Sequence, residues 1–196
     1  MPDTKTVLIV IDHPNPASLT HAVAEAFAEG ALAAGFNHDI CDLHAEGFDP
    51  RWSMPDVEER AEDIAAHQAR IDASDAVCMA FPLFWYGMPA MMKGWIDRVW
   101  SFGWAYDEVG APDRSLLKDR TGVLLIPAGA NPETWQDEGY EAAMRTIWER
   151  GTLGYFGFTD KRIRFLGGAH GSDERRANLL DLAYQEGRNL TCPSGR

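Results

Sequence analysis

The sequence predicts an α/β fold, a doubly wound five-stranded parallel sheet in the order 2-1-3-4-5 with helices on both faces. Three observations carry that expectation. Short β-branched and leucine runs alternate with longer stretches of helical periodicity. The short runs are continuously apolar, as strands covered on both faces of a parallel sheet must be. Pro, Gly, Asn and Asp gather just after several of these runs, where the chain leaves the sheet.

The elements follow in order. Val7 to Ile11 reads as the first strand and stops at Asp12-His13-Pro14; Leu19, Val23, Phe27 and Ala31 then recur at helical spacing, with Ser18 as N-cap and Gly35 near the end. Asn37 to Leu43 reads as the second strand, and Phe48-Asp49-Pro50 opens a loop leading to a helix between Asp56 and Ala73. Ala76 to Phe81 is the third strand, closed by Pro82, and Met91, Trp95, Val99 and Phe102 mark a helix face with Pro89 near its start. Val123 to Ile126 is the fourth strand, with a helix from Asp137 to Leu153; Ile163 to Leu166 is the fifth, and Ser172 caps a final helix reaching Leu190. With no internal repeat or long linker, residues 1–196 read as one domain.

Composition excludes several function classes. Thirty acidic against 18 basic residues give a net charge of −12, which repels nucleic-acid backbones and anionic lipid and reads as a solvated acidic surface. No run approaches the roughly 20 apolar residues of a membrane helix, so no membrane insertion is expected, and no address signal precedes Val7. Cys41, Cys78 and Cys192 form no C-x-x-C pair and read as reduced thiols, with Cys78 a small core residue; a cytoplasmic protein is the expectation. His21, His38, His44, His67 and His170 lack metal-ligand spacing and read as surface or capping residues, so no metal is expected. The acidic run from Asp56 to Asp63 reads as a solvated face and helix start. Ser18 lacks a G-x-S-x-G elbow, against a serine hydrolase.

In a sheet of this order, ligands bind beyond the carboxyl ends of the strands at the switch point, so the loops after strands one, three and four are the candidates. The first, His13 to Thr20, delivers a helix N-terminus whose unpaired N–H groups suit a phosphate, with hydroxyls at Ser18 and Thr20 and the imidazole of His13 beside them. It lacks both the G-x-G-x-x-G and the G-x-x-x-x-G-K-[ST] pattern, and the same residues also suit an ordinary capped helix with a proline-stiffened lead-in. The second, FPLFWYGMP from Phe81 to Pro89, puts four aromatic residues within six positions at a strand end rather than on a periodic face. That composition suits a flat apolar ring such as an isoalloxazine, or an oligomer contact, and both can hold at once. The third, Pro127 to Pro132, has a small-residue centre; Gly129 supplies either a positive φ or a simple turn, and the loop faces the aromatic one if the fourth strand adjoins the third. Trp95, Trp100 and Trp104 follow a helical face and suit a dimer core more than ligand contact.

The strings HPNPASL, DLHAEGFDP (42–50) and FPLFWYGMPAMMKGWIDRVWSFGWAY (81–106) together resemble the DT-diaphorase-like NAD(P)H:quinone oxidoreductases and their bacterial relatives, which include ancillary flavoproteins of potassium efflux systems. The most specific part is W-x-G-x-P followed by K-G-W. The resemblance implies a flavodoxin-like homodimer with flavin at each interface, NAD(P)H as electron donor, ping-pong hydride transfer, and a quinone or similar electrophile as acceptor. Carried over, His13, Ser18, Leu19 and Thr20 would hold the flavin phosphate region. Pro82, Leu83, Phe84, Trp85 and Tyr86 would line the ring, while Pro127, Ala128, Gly129 and Ala130 would take the place of the family's Thr-Thr-Gly-Gly segment. Tyr106 would reach the acceptor pocket from a neighbouring subunit, with Trp135 and Tyr140 beside it. The chain departs from the family where Pro127-Ala128 replaces the paired threonines, and where Trp135 and Glu141 replace the Tyr and His thought to stabilise reduced flavin in the mammalian enzymes. No catalytic acid or base is therefore assigned. FAD is the expected cofactor, with FMN as the close alternative, since the resemblance does not extend to the long C-terminal segment of those enzymes and so leaves the adenine contacts open. Two other readings are a flavin-binding regulatory subunit of a potassium efflux system and a one-electron flavodoxin-type carrier, the latter opposed by the W-x-G-x-P loop.

Overall fold

Alternation of side chains across buried strands assigns each residue of the apolar runs to one face or the other. A computed structural model of the chain describes residues 4–54, 56, 61–106 and 120–193. Its strands are β1 (Thr6–Ile11), β2 (Asn37–Asp42), β3 (Ala76–Ala80), β4 (Thr121–Ala128) and β5 (Asp160–Gly167), all parallel, in the order β2-β1-β3-β4-β5. This is the flavodoxin-like arrangement expected from the sequence.

On one face Val7, Ile9, Cys78, Val123 and Leu125 meet α1 (Leu19–Ala33) and α6 (Asp173–Arg188). These two helices cross with glycine against backbone: a Cβ added at Gly30 would lie 2.1 Å from the Tyr184 carbonyl oxygen, and one at Gly187 would lie 2.1 Å from that of Phe27. On the other face Leu8, Val10, Met79, Leu124 and Ile126 meet α2 (Glu62–Asp72) and α3 (Ala90–Val99). Here Gly94 of the K-G-W motif lets α3 press on Pro50, whose carbonyl oxygen would lie 2.2 Å from an added Cβ.

After β4 the single helix expected from Asp137 to Leu153 is broken. α4 (Pro132–Asp137) stops, Gly139 turns at φ +77°, and α5 (Tyr140–Arg145) continues into a π-helix over Thr146–Leu153. A left-handed glycine ends one helix and starts the next, a signal that periodicity alone does not carry. Phe102 likewise leaves the expected helix face: α3 ends at Val99, Gly103 turns at φ +81°, and Phe102 is exposed in a bridge with Tyr106.

Other expectations are corrected by burial. Trp95 and Trp100 lie in the chain's own core, so neither needs a partner subunit to cover it, while Trp104 is half-buried and donates to Asp72. The Asp56 side chain is buried against Arg98 at 2.8 Å instead of joining a solvated run, whereas Glu62 and Asp63 stand exposed in the first turn of α2, as expected, with Asp63 reaching Arg98 at 3.1 Å; residues 57–60 of that run lie outside the described residues. His21 and His67 are buried, not surface residues. Among the described residues Cys41, Glu46 and His67 gather ligand-type atoms within 4.8 Å of one another. Arg70 takes both Glu46 oxygens and burial pushes the Cys41 thiol upward, so hydrogen bonding accounts for this trio. No helix among the described residues is long and apolar enough to cross a membrane.

Candidate functional site

The carboxyl ends of β1, β3 and β4 bring the three candidate loops together, and the loop after β5 joins them. His13, Ser18, Leu19 and Thr20 line one wall of a cavity of about 430 Å³; Pro82, Leu83, Phe84, Pro127, Ala128 and Gly129 line another. Ala169, His170 and Arg176 close it, and sequence reasoning missed all three. The signal for them was present, since the loop after β5 is also a strand-end loop leading into a capped helix.

The first loop is fixed by its own hydrogen bonds. The Asn15 side chain accepts from Ala17 N–H at 2.9 Å, and His13 Nδ1 accepts from Asn15 N–H at 3.0 Å. That bond makes Nδ1 an acceptor and leaves Nε2 to carry the ring proton of neutral His13. Ser18 caps α1 by accepting from His21 N–H. The N–H groups of Leu19 and Thr20, in the first turn, keep no helical partner and sit at the positive end of the helix dipole. Arg176, from the first turns of α6, adds a cation to the same cavity. Donors, dipole and cation together suit a phosphate or pyrophosphate.

Behind the loop, two carboxylates set its frame. Asp12, at the end of β1, accepts from Met92 N–H at 2.7 Å and bonds His44 Nε2 at 3.0 Å. It therefore supplies to α3 the N-terminal cap that Pro89 has no side-chain acceptor to give. Asp42 binds His21 Nε2 at 2.9 Å, and the other nitrogen of that ring meets Ser18 Oγ at 2.9 Å. Burial pushes the Asp42 carboxyl up, but His21 and the N–H groups of Ala45 and His44 outweigh it and hold the group below the usual carboxylate range.

The aromatic loop is tied to β4 through Leu83 N–H to the Pro127 carbonyl, 2.8 Å. Its tip is a tight turn in which Phe84 and Gly87 bond each other's backbone while Trp85 and Tyr86 hold φ of +50° and +60°. Two non-glycine residues in the left-handed region cost on the order of 1–3 kcal/mol each, strain of the kind that collects at binding sites. Phe81 is core, whereas Trp85 is 97% exposed and Phe84 and Tyr86 are also exposed. The turn thus presents three rings at the mouth of the sheet.

A second hollow of about 220 Å³ shares Leu83, Ala128 and Gly129 with the first and continues to Trp85, Tyr86, Ala130 and Trp135. Trp135 is 1% exposed with its edge on Phe165, so it forms a floor rather than a reaching group. Tyr140 stacks on Tyr86 at 4.1 Å between ring centroids. Tyr106 is apart from both hollows within the chain: it packs against Phe102, Tyr155 and Phe156 and lines a separate cleft with Trp52. Pro127 and Ala128 belong to β4 itself, and Gly129 has no positive φ. Its lack of a side chain admits the His170 ring, which a Cβ would meet at 3.0 Å.

Comparison with known proteins places this geometry. The family model described as Flavodoxin-like fold matches residues 5–188. A mouse ribosyldihydronicotinamide dehydrogenase [quinone] is 30% identical, the alignment covering 92% of this chain and 90% of that protein. An uncharacterized NAD(P)H oxidoreductase of Haemophilus influenzae is 28% identical over 91% of this chain and 92% of its own length. Among solved structures, an NAD(P)H:quinone oxidoreductase from Methanothermobacter marburgensis superposes with a TM-score of 0.88 at 31% identity, covering 96% of this chain and all of that one.

Proposed function

The chain belongs to the flavodoxin-like NAD(P)H:quinone oxidoreductase family, and from that premise we propose that it is a flavin-dependent NAD(P)H oxidoreductase that reduces quinones or similar electrophiles by two electrons. The observation that carries the reading is the juxtaposition, in two hollows that share Leu83, Ala128 and Gly129, of an anion-binding helix start with an exposed, strained aromatic turn.

The residues present fit a flavin. The unpartnered Leu19 and Thr20 N–H groups, the Ser18 and Thr20 hydroxyls and Arg176 suit its phosphate end. The Pro82–Tyr86 turn and the Pro127–Ala130 segment suit the ring. FAD is the expected form, with FMN the alternative. A flavin bound there would take hydride from reduced nicotinamide in one half-reaction and give it to the acceptor in the next. The chain's part is positioning and exclusion of water: rings at the turn cover an apolar face, and Trp135 closes the floor of the acceptor hollow. At the positions of the family's threonine pair and histidine, Pro127 and Ala128 offer only backbone and Glu141 is paired with Arg145 at 2.8 Å, so no proton donor at the ring edge is assigned. A second copy of the chain completes the acceptor pocket, bringing Tyr106 to it and covering Trp85.

Heat release of the bound cofactor and its chromatography tests the flavin directly. Steady-state oxidation of NADPH and NADH with a soluble benzoquinone tests the activity. A flavin-loaded protein with no turnover on any quinone would overturn the enzyme reading.

A further inference from the structure

We infer that Ser18, His21 and Asp42 form a proton-linked anchor: binding of the flavin phosphate at the start of α1 draws one proton from solvent onto His21. The inference rests on the flavin reading above and concerns hydrogen-bond direction. His21 is buried, with Nε2 2.9 Å from Asp42 Oδ2 and Nδ1 2.9 Å from Ser18 Oγ. Asp42 also accepts from His44 and Ala45 N–H, so it stands as an acceptor and Nε2 carries the ring proton. Neutral His21 then has a bare Nδ1, and the Ser18 hydroxyl donates its only proton there. Ser18 Oγ already accepts from His21 N–H, which leaves nothing but a lone pair to show the cavity it lines.

That arrangement is wrong for an anion. A phosphate oxygen can accept from Ser18 only if the hydroxyl turns, and Nδ1 must then become the donor to Ser18 Oγ. His21 becomes imidazolium, held between Ser18 Oγ and the Asp42 carboxylate, and the proton comes from solvent. Both 2.9 Å contacts persist with their donors reversed at one end. The other groups around His21 are accounted for. His13 lies edge-on at 6.4 Å between ring centroids, Asp12 and His44 bond each other, and Arg176 reaches the cavity from α6. His21 therefore acts as a positioning residue, through Ser18, and touches no reacting atom.

The test is calorimetric titration of apoprotein with FMN and with FAD near pH 8, in two buffers of different ionisation enthalpy. At that pH the FMN phosphate, with its second pKa near 6, is already ionised. The expected result is uptake approaching one proton per flavin, with affinity falling up to tenfold per pH unit. Riboflavin, which has no phosphate, binds without uptake. His21→Gln abolishes the uptake and flattens the pH profile, because an amide cannot take the proton. Asp42→Asn weakens phosphate-bearing flavins about tenfold and leaves riboflavin unchanged. FMN and FAD binding with no proton uptake in the unaltered protein overturns the inference alone, as does uptake that persists in His21→Gln. Failure to bind any flavin overturns the function proposed above, and this inference with it.

Discussion

The two faces of the sheet are packed by different means. Between α1 and α6 there is no side chain at the closest points: Gly30 and Gly187 bring the helix backbones into contact, over a layer of valine, isoleucine and alanine. The opposite face is filled by rings, with Phe81, Trp95, Trp100, Trp135, Trp148 and Phe158 all buried and the Arg98 guanidinium 5.3 Å above the Phe48 ring. Two indole N–H groups in that layer, of Trp95 and Trp100, have no acceptor. The difference matches what each face delivers to the cavity. The glycine-locked pair carries the start of α1 and Arg176, where the proposed flavin phosphate would need backbone N–H groups at fixed distances. The ring-filled face carries the aromatic turn and α4, where shape and apolar area matter more than the direction of any one bond.

Four substitutions test this contrast, in order of falling expected cost. Gly187→Leu has no free volume beside the Phe27 carbonyl and should force α6 off α1 at a cost above about 4 kcal/mol, read as a collapse of the urea midpoint. Arg98→Met strips the partner from the buried Asp56 carboxylate and should cost about 3 kcal/mol. It should also change the acid limb of stability. Arg98's hydrogen bonds hold the Asp56 carboxyl below its usual range, so the pair's contribution is complete above about pH 4, the ordinary carboxylate value, and fades as pH falls through the lower folded value. Denaturant titrations between pH 7 and 2 should show that fading in the unaltered protein and lose it in the variant. Trp95→Phe removes an unpartnered N–H along with some ring volume, so its cost should be only about 1–2 kcal/mol; a loss as large as that of Gly187→Leu would mean the rings are as tightly specified as the glycines. Ser172→Ala removes the acceptor for Arg175 N–H at the start of α6 and should cost about 1 kcal/mol by thermal melting.

The site was legible in the sequence unevenly. His13, Ser18 and Thr20 announced themselves because a strand end, prolines and a cap residue are adjacent in the chain. The Pro82–Tyr86 turn did so because aromatics crowd where no periodic face exists to hide them. His21 was read as a surface or capping histidine, since nothing local joins it to Asp42, 21 residues on. His170 and Arg176 belong to the last strand–helix junction, which comes beside the first only after β4 and β5 have been added to the sheet.

Apolar period and local turn chemistry were enough to set the alternation of elements, the parallel sheet and the strand ends whose loops gather around one cavity. Tertiary structure decided which rings are core and which stand at the surface: Phe81 and Trp95 vanish from solvent while Trp85, between them in the chain, is exposed. It also decided that Gly139 splits a helix, that Gly129 makes room for a histidine rather than a turn, and that Ser18, His21 and Asp42 lie in one hydrogen-bonded line. The physical reason is the same in each case. Burial and hydrogen-bond direction depend on neighbours that the sheet order brings together, and a local pattern carries no information about those neighbours.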